Sequence, residues 1–333
     1  MPETLPFVIL THTLPAGWLA SLKGRCTWIE GPPAEAQSQP RLEPGLADRL
    51  SEAKGLFSLL TVPINEQLLN QAPQLRVVSN MAVGVDNVDL EACTRRAIPV
   101  GHTPGVLTEA TADLSLALIL AAARRLPEAA ADARAGRWST WNPTGWLGVE
   151  LNGAVLGIAG MGKIGRAVAK RAHAFGMRLI YHDTSPAPEI EEQLGAVFVS
   201  FDELLAQSDI LSLHVPLLPE TRAMIGEEAL QRMKPTAILI NAARGPIVET
   251  AALQHALEQD WIQAAALDVT DPEPLPQDHP LYKLPNCLIV PHIGSATHHT
   301  RRRMAELACQ NLLAGLDGKR LPFCANPEVY GSN

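Results

Sequence analysis

Cysteine is scarce in this 333-residue chain and never arranged for bonding: Cys26, Cys93, Cys287, Cys309 and Cys324 are odd in number, scattered, and nowhere spaced as C-x-x-C. That excludes a disulfide framework or a zinc ribbon and fits a reducing compartment. Long apolar runs are missing too. The longest, Leu114 to Ala123, is ten residues, too short to span a bilayer and suited to a buried helix. The start, Met1-Pro2-Glu3-Thr4, lacks a basic n-region and has only a brief apolar run, so no signal peptide is read and a cytoplasmic location is expected. Basic excess is absent: 27 Lys+Arg against 35 Asp+Glu leave a formal charge of −8, which argues against nucleic acid or an anionic membrane as partner. Arg301-Arg302-Arg303 is the sole basic run and fits a solvated helix face or a small-anion contact. There is no H-E-x-x-H and no carboxylate cluster, and adjacent His298 and His299 would point about 100° apart on a helix, so no metal is expected.

What is present is an ordinary globular composition, 47% hydrophobic and 19% charged, at about twice the length of a typical domain. Two domains are therefore expected. The most informative stretch lies near the middle. Val155-Leu156-Gly157-Ile158-Ala159 has the pattern of an apolar strand and runs into Gly160-Met161-Gly162-Lys163-Ile164-Gly165, followed by a helix pattern from Arg166 to Phe175. Strand, G-x-G-x-x-G turn and helix make the first βα unit of a dinucleotide-binding fold. In that reading Gly160 permits the tight turn, Gly162 lets the backbone approach a pyrophosphate, and Gly165 lets helix and strand pack closely. The helix N-terminus offers unpaired N–H groups and a positive dipole end.

Around this unit the chain alternates. Strand-length runs at Phe7–Leu10, Leu56–Val62, Leu75–Ser79 and Ile98–Val100 alternate with helix-like Leu14–Leu22, Asn65–Gln71 and Leu90–Arg95, the mark of a small parallel α/β domain. Gly31 to Gly45 is proline-rich and reads as a loop. A long helix, Gly105 to Arg125, with Thr108 or Thr111 near its start, leads into the second domain. There strands are expected at Leu179–His182, Val197–Val199, Ile210–Val215, Ala237–Asn241, Ala264–Val269 and Leu288–Val290, giving a doubly wound sheet of six or seven strands. A last helix, Ala296 to Leu316, returns to the first domain. The expectation is a dinucleotide-binding Rossmann-type domain (residues 105–295) inserted into a smaller α/β substrate domain (1–104 and 296–333), with a ligand cleft between them.

Strand Leu179–His182 is followed by Asp183, eighteen residues after Gly165. A carboxylate there can bond adenosine ribose hydroxyls and repel a 2′-phosphate, or merely cap a turn. No Lys or Arg lies between Tyr181 and Leu194 to receive a phosphate, so NAD(H) is expected over NADP(H).

Three further stretches fall at expected C-terminal strand ends, the edge where open α/β sheets bind ligands: Asn241-Ala242-Ala243-Arg244-Gly245, Leu267-Asp268-Val269-Thr270-Asp271-Pro272-Glu273-Pro274, and Pro291-His292-Ile293-Gly294-Ser295-Ala296-Thr297. Singly, Arg244 fits a surface ion pair, Glu273 a turn between prolines, and His292 a satisfied histidine. Together with Val83-Gly84-Val85-Asp86-Asn87, Thr103-Pro104-Gly105-Val106-Leu107-Thr108 and the glycine turn, they make the chain resemble the D-isomer-specific 2-hydroxyacid dehydrogenases over nearly its whole length, with glyoxylate/hydroxypyruvate reductases the nearest match within that family.

The resemblance implies a flavodoxin-like substrate domain and puts Arg244, Glu273 and His292 at the family's catalytic positions. The residue types suit reduction of a 2-keto acid. Imidazole titrates near working pH and can protonate the oxygen, a carboxylate beside it favours imidazolium and fixes the ring, and a guanidinium can hold the substrate carboxylate and polarise the carbonyl. By the same resemblance the Val83 and Gly84 amides face the substrate carboxylate, and Ser295 offers a polar contact. Thr111, Asp268, Gly294, His292 and Ala242 to Arg244 lie near the nicotinamide, and Met161 to Ile164 cradle the pyrophosphate. Gly136-Arg137-Trp138-Ser139-Thr140-Trp141-Asn142-Pro143 resembles the reductases' dimer loop, which implies a homodimer with Trp141 reaching the neighbouring subunit's site. The alternative for Trp141 is packing within its own subunit. Val83 stands where phosphite dehydrogenases carry lysine, and Glu273 where formate dehydrogenases carry glutamine. Remaining alternatives are a D-3-phosphoglycerate or other D-2-hydroxyacid dehydrogenase, although only about fifteen residues follow the final helix, and an NAD(H)-sensing scaffold like the corepressors of this fold.

Overall fold

A computed structural model describes residues 4–33 and 41–331. The chain divides into two compact units, Met1–Leu107 with Thr297–Asn333, and Thr108–Ala296.

The first unit begins with β1 (Phe7–Leu10), β2 (Thr27–Glu30), α1 (Pro44–Ala47), β3 (Gly55–Ser58), α2 (Glu66–Gln71), β4 (Val77–Asn80), α3 (Leu90–Arg95) and β5 (Val100–Gly101). All five strands are parallel in the order β2-β1-β3-β4-β5, the flavodoxin-like arrangement. Asn65 and Asp89 cap α2 and α3, accepting from the Leu68 and Ala92 amides at 3.1 and 2.8 Å, which is why these helices start where the sequence signals them.

Two expectations change here. Leu14–Leu22 is not an α-helix. Pro15 and Gly17 break it into i→i+3 turns (Trp18 N to Pro15 O 2.8 Å, Leu22 N to Leu19 O 3.0 Å), and only Ala20–Leu22 is regular, as a 3-10 turn. Three-residue turns bury Leu19 and Leu22 as a helix would, so the apolar spacing misleads. The Leu56–Val62 run is a strand only to Ser58, after which Leu59–Val62 turns ahead of Pro63. Strand β2, four residues with none buried, carries no continuous apolar run to mark it in the sequence. Within the Gly31–Gly45 loop, residues 34–40 lie outside the described residues, and Pro44 already opens α1.

The second unit starts with α4 (Thr108–Ala123) and α5 (Leu126–Arg134). It continues through β6 (Val155–Ala159), α6 (Lys163–Ala174), β7 (Arg178–His182), α7 (Pro188–Leu194), β8 (Val197–Phe198), α8 (Phe201–Gln207), β9 (Ile210–Leu213), α9 (Glu227–Arg232), β10 (Ile238–Asn241), α10 (Thr250–Glu258), β11 (Ala264–Leu267) and β12 (Cys287–Ile289). The seven parallel strands run β12-β11-β10-β9-β6-β7-β8. The order reverses between β6 and β9, and ligands bind at the carboxyl ends of strands at such a switch point. Strands β6, β9, β10 and β11 are buried at every residue, as helices on both faces require, hence their uninterrupted apolar sequences.

The last α-helix among the described residues is α11 (His298–Leu316), capped by Thr297 accepting from Thr300 N at 3.0 Å. It lies on β3 and β4 of the first unit: Ser79 Oγ donates to Ala308 O at 2.7 Å, and a Cβ on Gly315 would come within 2.5 Å of Val77. Among the described residues no helix is long and apolar enough to cross a membrane.

Candidate active site

The glycine turn sits at the switch point, and its three glycines do different work. Gly160 has φ +94°, a region open to glycine, and a Cβ there would lie 2.7 Å from the backbone of His214 at the end of β9. A Cβ on Gly165 would lie 2.1 Å from Gly160 O, so the first turn of α6 packs directly on the loop. Gly162 faces open space. It is also the N-cap of α6 and supplies no side-chain cap, unlike Asn65, Asp89 or Thr297 at their helices. The first-turn amides of α6 are therefore presented toward that opening, with the positive dipole end behind them. The geometry fits a dinucleotide pyrophosphate.

Asp183, just past β7, turns back on this loop. One carboxylate oxygen accepts from Met161 N at 2.7 Å, and the other accepts from Thr184 N at 2.6 Å. The Met161 amide is thus committed to Asp183, so within Met161–Ile164 the candidate phosphate contacts are the amides of Gly162–Ile164. Arg166, not singled out by sequence, lies beside the same loop. Its Nε donates to Met161 O at 3.0 Å and its Nη1 to Glu189 at 3.0 Å.

Three loops at neighbouring strand ends carry the candidate catalytic groups. Asn241, buried at the end of β10, accepts from Ala243 N at 3.0 Å and donates to Arg244 O at 2.9 Å, which curls the Ala242–Arg244 loop. Arg244 Nη1 donates to Ala243 O at 2.8 Å. The loop rests on the next one: a Cβ on Gly245 would lie 1.8 Å from Thr270 O. Beyond Thr270, Glu273 stands in a Pro-Glu-Pro turn and accepts weakly from Thr270 N at 3.4 Å.

Glu273 Oε1 meets His292 Nδ1 at 2.5 Å. A carboxylate is the acceptor here, so the ring carries its proton on Nδ1 and presents Nε2 for proton exchange. His292 has φ +49°, a left-handed conformation costing about 1–3 kcal/mol for a non-glycine residue. Buried Asp268 maintains it. Its carbonyl accepts from His292 N at 2.9 Å, and its carboxylate accepts from Ile293 N at 2.6 Å and Gly294 N at 2.9 Å. One residue at the end of β11 thus holds three successive residues of the histidine loop. Burial pushes the Asp268 carboxyl above the usual range, opposed by those two amides and by His292. Thr111, near the start of α4, donates to Gly294 O at 3.3 Å.

The second unit therefore gathers Thr111, Asp268, Glu273, His292 and Gly294, with Ala242 to Arg244 packed alongside. Ser295 is half-buried and follows the clamped stretch. Trp141 is 80% exposed on the segment after α5, beside exposed Trp138. Val83 and Gly84 belong to the first unit, in the loop after β4, where Thr103 N donates to Ala82 O and His102 Nδ1 to Val83 O. Sequence reading passed over Asn241, Arg166, His102 and His214. The signal for Asn241 is a polar residue ending an otherwise apolar strand. His214 directly follows β9. Its Nε2 bonds Ser212 Oγ at 2.8 Å, its buried Nδ1 finds no partner among the described residues, and burial lowers its pKa to about 4.

Residues 116–294 match the family model for the D-isomer specific 2-hydroxyacid dehydrogenase NAD binding domain. A glyoxylate reductase of Aeropyrum pernix is 53% identical over 295 residues, 87% of this chain and 88% of that protein. The crystal structure of the TT0316 protein from Thermus thermophilus superposes with a TM-score of 0.88 at 49% identity, covering 96% of this chain and 99% of that one. An NADPH-dependent glyoxylate/hydroxypyruvate reductase from Sinorhizobium meliloti, solved with NADP and malonate, gives a TM-score of 0.84 at 30% identity, covering 97% and 98%. The glycine turn at a Rossmann switch point, the histidine–glutamate pair and these matches lead to one conclusion: the chain belongs to the D-isomer specific 2-hydroxyacid dehydrogenase family, whose enzymes use a nicotinamide dinucleotide.

Proposed function

We propose that the protein reduces small 2-keto acids, glyoxylate and hydroxypyruvate, to glycolate and D-glycerate, with NADH preferred over NADPH. The observation that carries this reading is the 2.5 Å contact of His292 with Glu273, in the same unit as a glycine turn open at Gly162. The nicotinamide, when bound, supplies the hydride. His292 delivers a proton from Nε2 to the carbonyl oxygen, while Glu273 at Nδ1 stabilises the imidazolium and fixes the ring. Arg244 pairs with the substrate carboxylate and polarises the carbonyl as negative charge develops on its oxygen. The Val83 and Gly84 amides are the proposed main-chain contacts for a substrate carboxylate, and the first unit, which carries them, is the proposed substrate domain. Asp268 and Thr111, through Gly294, keep the histidine loop in its strained form beside the nicotinamide position.

Preference for NADH rests on Asp183, whose carboxylate is fixed on the glycine turn and would repel a 2′-phosphate, and on Arg166 being engaged by Glu189 and Met161. Exposed Trp141 supports a homodimer in which the indole covers a partner's substrate. A reducing, cytoplasmic location is proposed from the scattered cysteines, none spaced as C-x-x-C.

The test is a steady-state panel of glyoxylate, hydroxypyruvate, pyruvate and 3-phosphohydroxypyruvate with NADH and NADPH, followed at 340 nm. The highest kcat/KM is expected for glyoxylate or hydroxypyruvate with NADH. A panel led by the phosphorylated substrate would replace this assignment with a phosphoglycerate-type one, and no loss of absorbance with any of them would end the enzymatic reading.

A further inference from the structure

In a trans peptide the carbonyl of one residue and the N–H of the next point opposite ways, so a donor gripping the carbonyl aims the amide. Two consecutive residues after β5 grip two consecutive carbonyls of the loop after β4. Thr103 N donates to Ala82 O at 2.8 Å, which orients the Val83 amide. His102 Nδ1 meets Val83 O at 3.0 Å, which orients the Gly84 amide. Because a carbonyl only accepts, the imidazole proton lies on Nδ1. We propose that His102 is a positioning residue for substrate recognition, aiming and polarising the Gly84 N–H toward the substrate carboxylate. The inference rests on the assignment of the Val83 and Gly84 amides to that carboxylate.

The support behind His102 is firm enough for the role. Its N–H donates to Phe323 O at 3.2 Å, and its carbonyl accepts from Asn311 Nδ2 at 2.9 Å. Asn311 is fully buried on α11 and also accepts from Phe323 N at 3.0 Å. A Cβ on the preceding Gly101 would come within 2.6 Å of Asn311, so the end of β5 lies flush against α11. From the other side Asn80 Nδ2 donates to Gly84 O at 3.2 Å, fixing the next peptide. Any residue but proline at 103 provides the main-chain bond to Ala82, whereas the bond to Val83 needs a side-chain donor. A donor on the carbonyl also strengthens the N–H of the same peptide, so its loss weakens the amide as well as loosening it.

The experiment uses the full chain with His102→Ala, His102→Leu and His102→Asn. Steady-state kinetics with glyoxylate at saturating NADH are paired with inhibition by oxamate, the NADH dissociation constant and Tm. His102→Ala and His102→Leu, which lack the donor, are expected to raise the glyoxylate KM and the oxamate inhibition constant together by about three- to ten-fold. The kcat and NADH affinity should stay at the parent values. His102→Asn, whose amide can donate to the same carbonyl, should restore both constants. Unchanged KM and oxamate inhibition in both donor-lacking variants, or a parallel fall in kcat, NADH affinity and Tm that His102→Asn does not repair, would overturn the role. A parent enzyme that reduces glyoxylate without tight oxamate inhibition would instead count against the carboxylate assignment, and the inference would fall with it.

Discussion

Between Gly160 and Gly165, six consecutive residues form the candidate cofactor turn through their backbone, whereas Arg244, Glu273 and His292, the candidate catalytic groups, are side chains on three separate loops. The glycine turn is defined by what it lacks. A Cβ at Gly160 or Gly165 would collide with main chain, and the absence of one at Gly162 leaves the helix end open. The candidate acid–base site depends on side chains, with Asn241 shaping one loop and Asp268 holding another in a strained form. The two regions should therefore fail differently. Adding atoms breaks the first and removing atoms breaks the second.

The largest expected effect comes from removal. His292→Ala or Arg244→Ala should lower kcat/KM for glyoxylate by about 10²–10⁴-fold in a 340 nm assay, the usual worth of a positioned proton donor or charge. Next comes addition. Gly165→Ala forces the glycine turn and α6 apart, and loss of one charge-assisted phosphate contact should weaken NADH binding by about 10–100-fold in a fluorescence titration. Turnover at saturating NADH should change far less. If kcat fell as far as affinity, the two regions would not be separable in this way.

The smallest effect concerns stability, at the strand end against which the turn packs. Unfolded His214 takes up a proton near pH 6.5, but the folded residue resists until about 4. Between those values the unfolded state binds more protons, so stability contributed here is complete above about pH 6.5 and is lost as pH falls toward 4. Thermal melts should show Tm declining over that window, and His214→Asn should flatten the decline. An equal slope in the variant would show that other groups dominate.

The same contrast explains how much was legible in the sequence. The second unit's strands were found to within a residue or two, because fully buried parallel strands are unbroken apolar runs bounded by turns. The glycine turn was legible for the same local reason, and the Arg244, Glu273 and His292 motifs through their resemblance and their place at strand ends. What could not be read depends on partners distant in sequence or on main-chain bonds without a motif. The Asp268 clamp on residues 292–294 is of this kind, as is the hold of His102 on Val83. Leu14–Leu22 misled because apolar spacing alone does not distinguish a helix from successive tight turns. Helix α5 has no buried residue, hence no apolar face to announce it.

The claim that cofactor binding and proton transfer reside in separable structures is tested most directly by the NADH dissociation constant of His292→Ala, measured on the preparation whose turnover is lost. The account predicts a value within about two-fold of the parent. A dissociation constant weakened in step with turnover, or turnover retained near the parent rate, would contradict it.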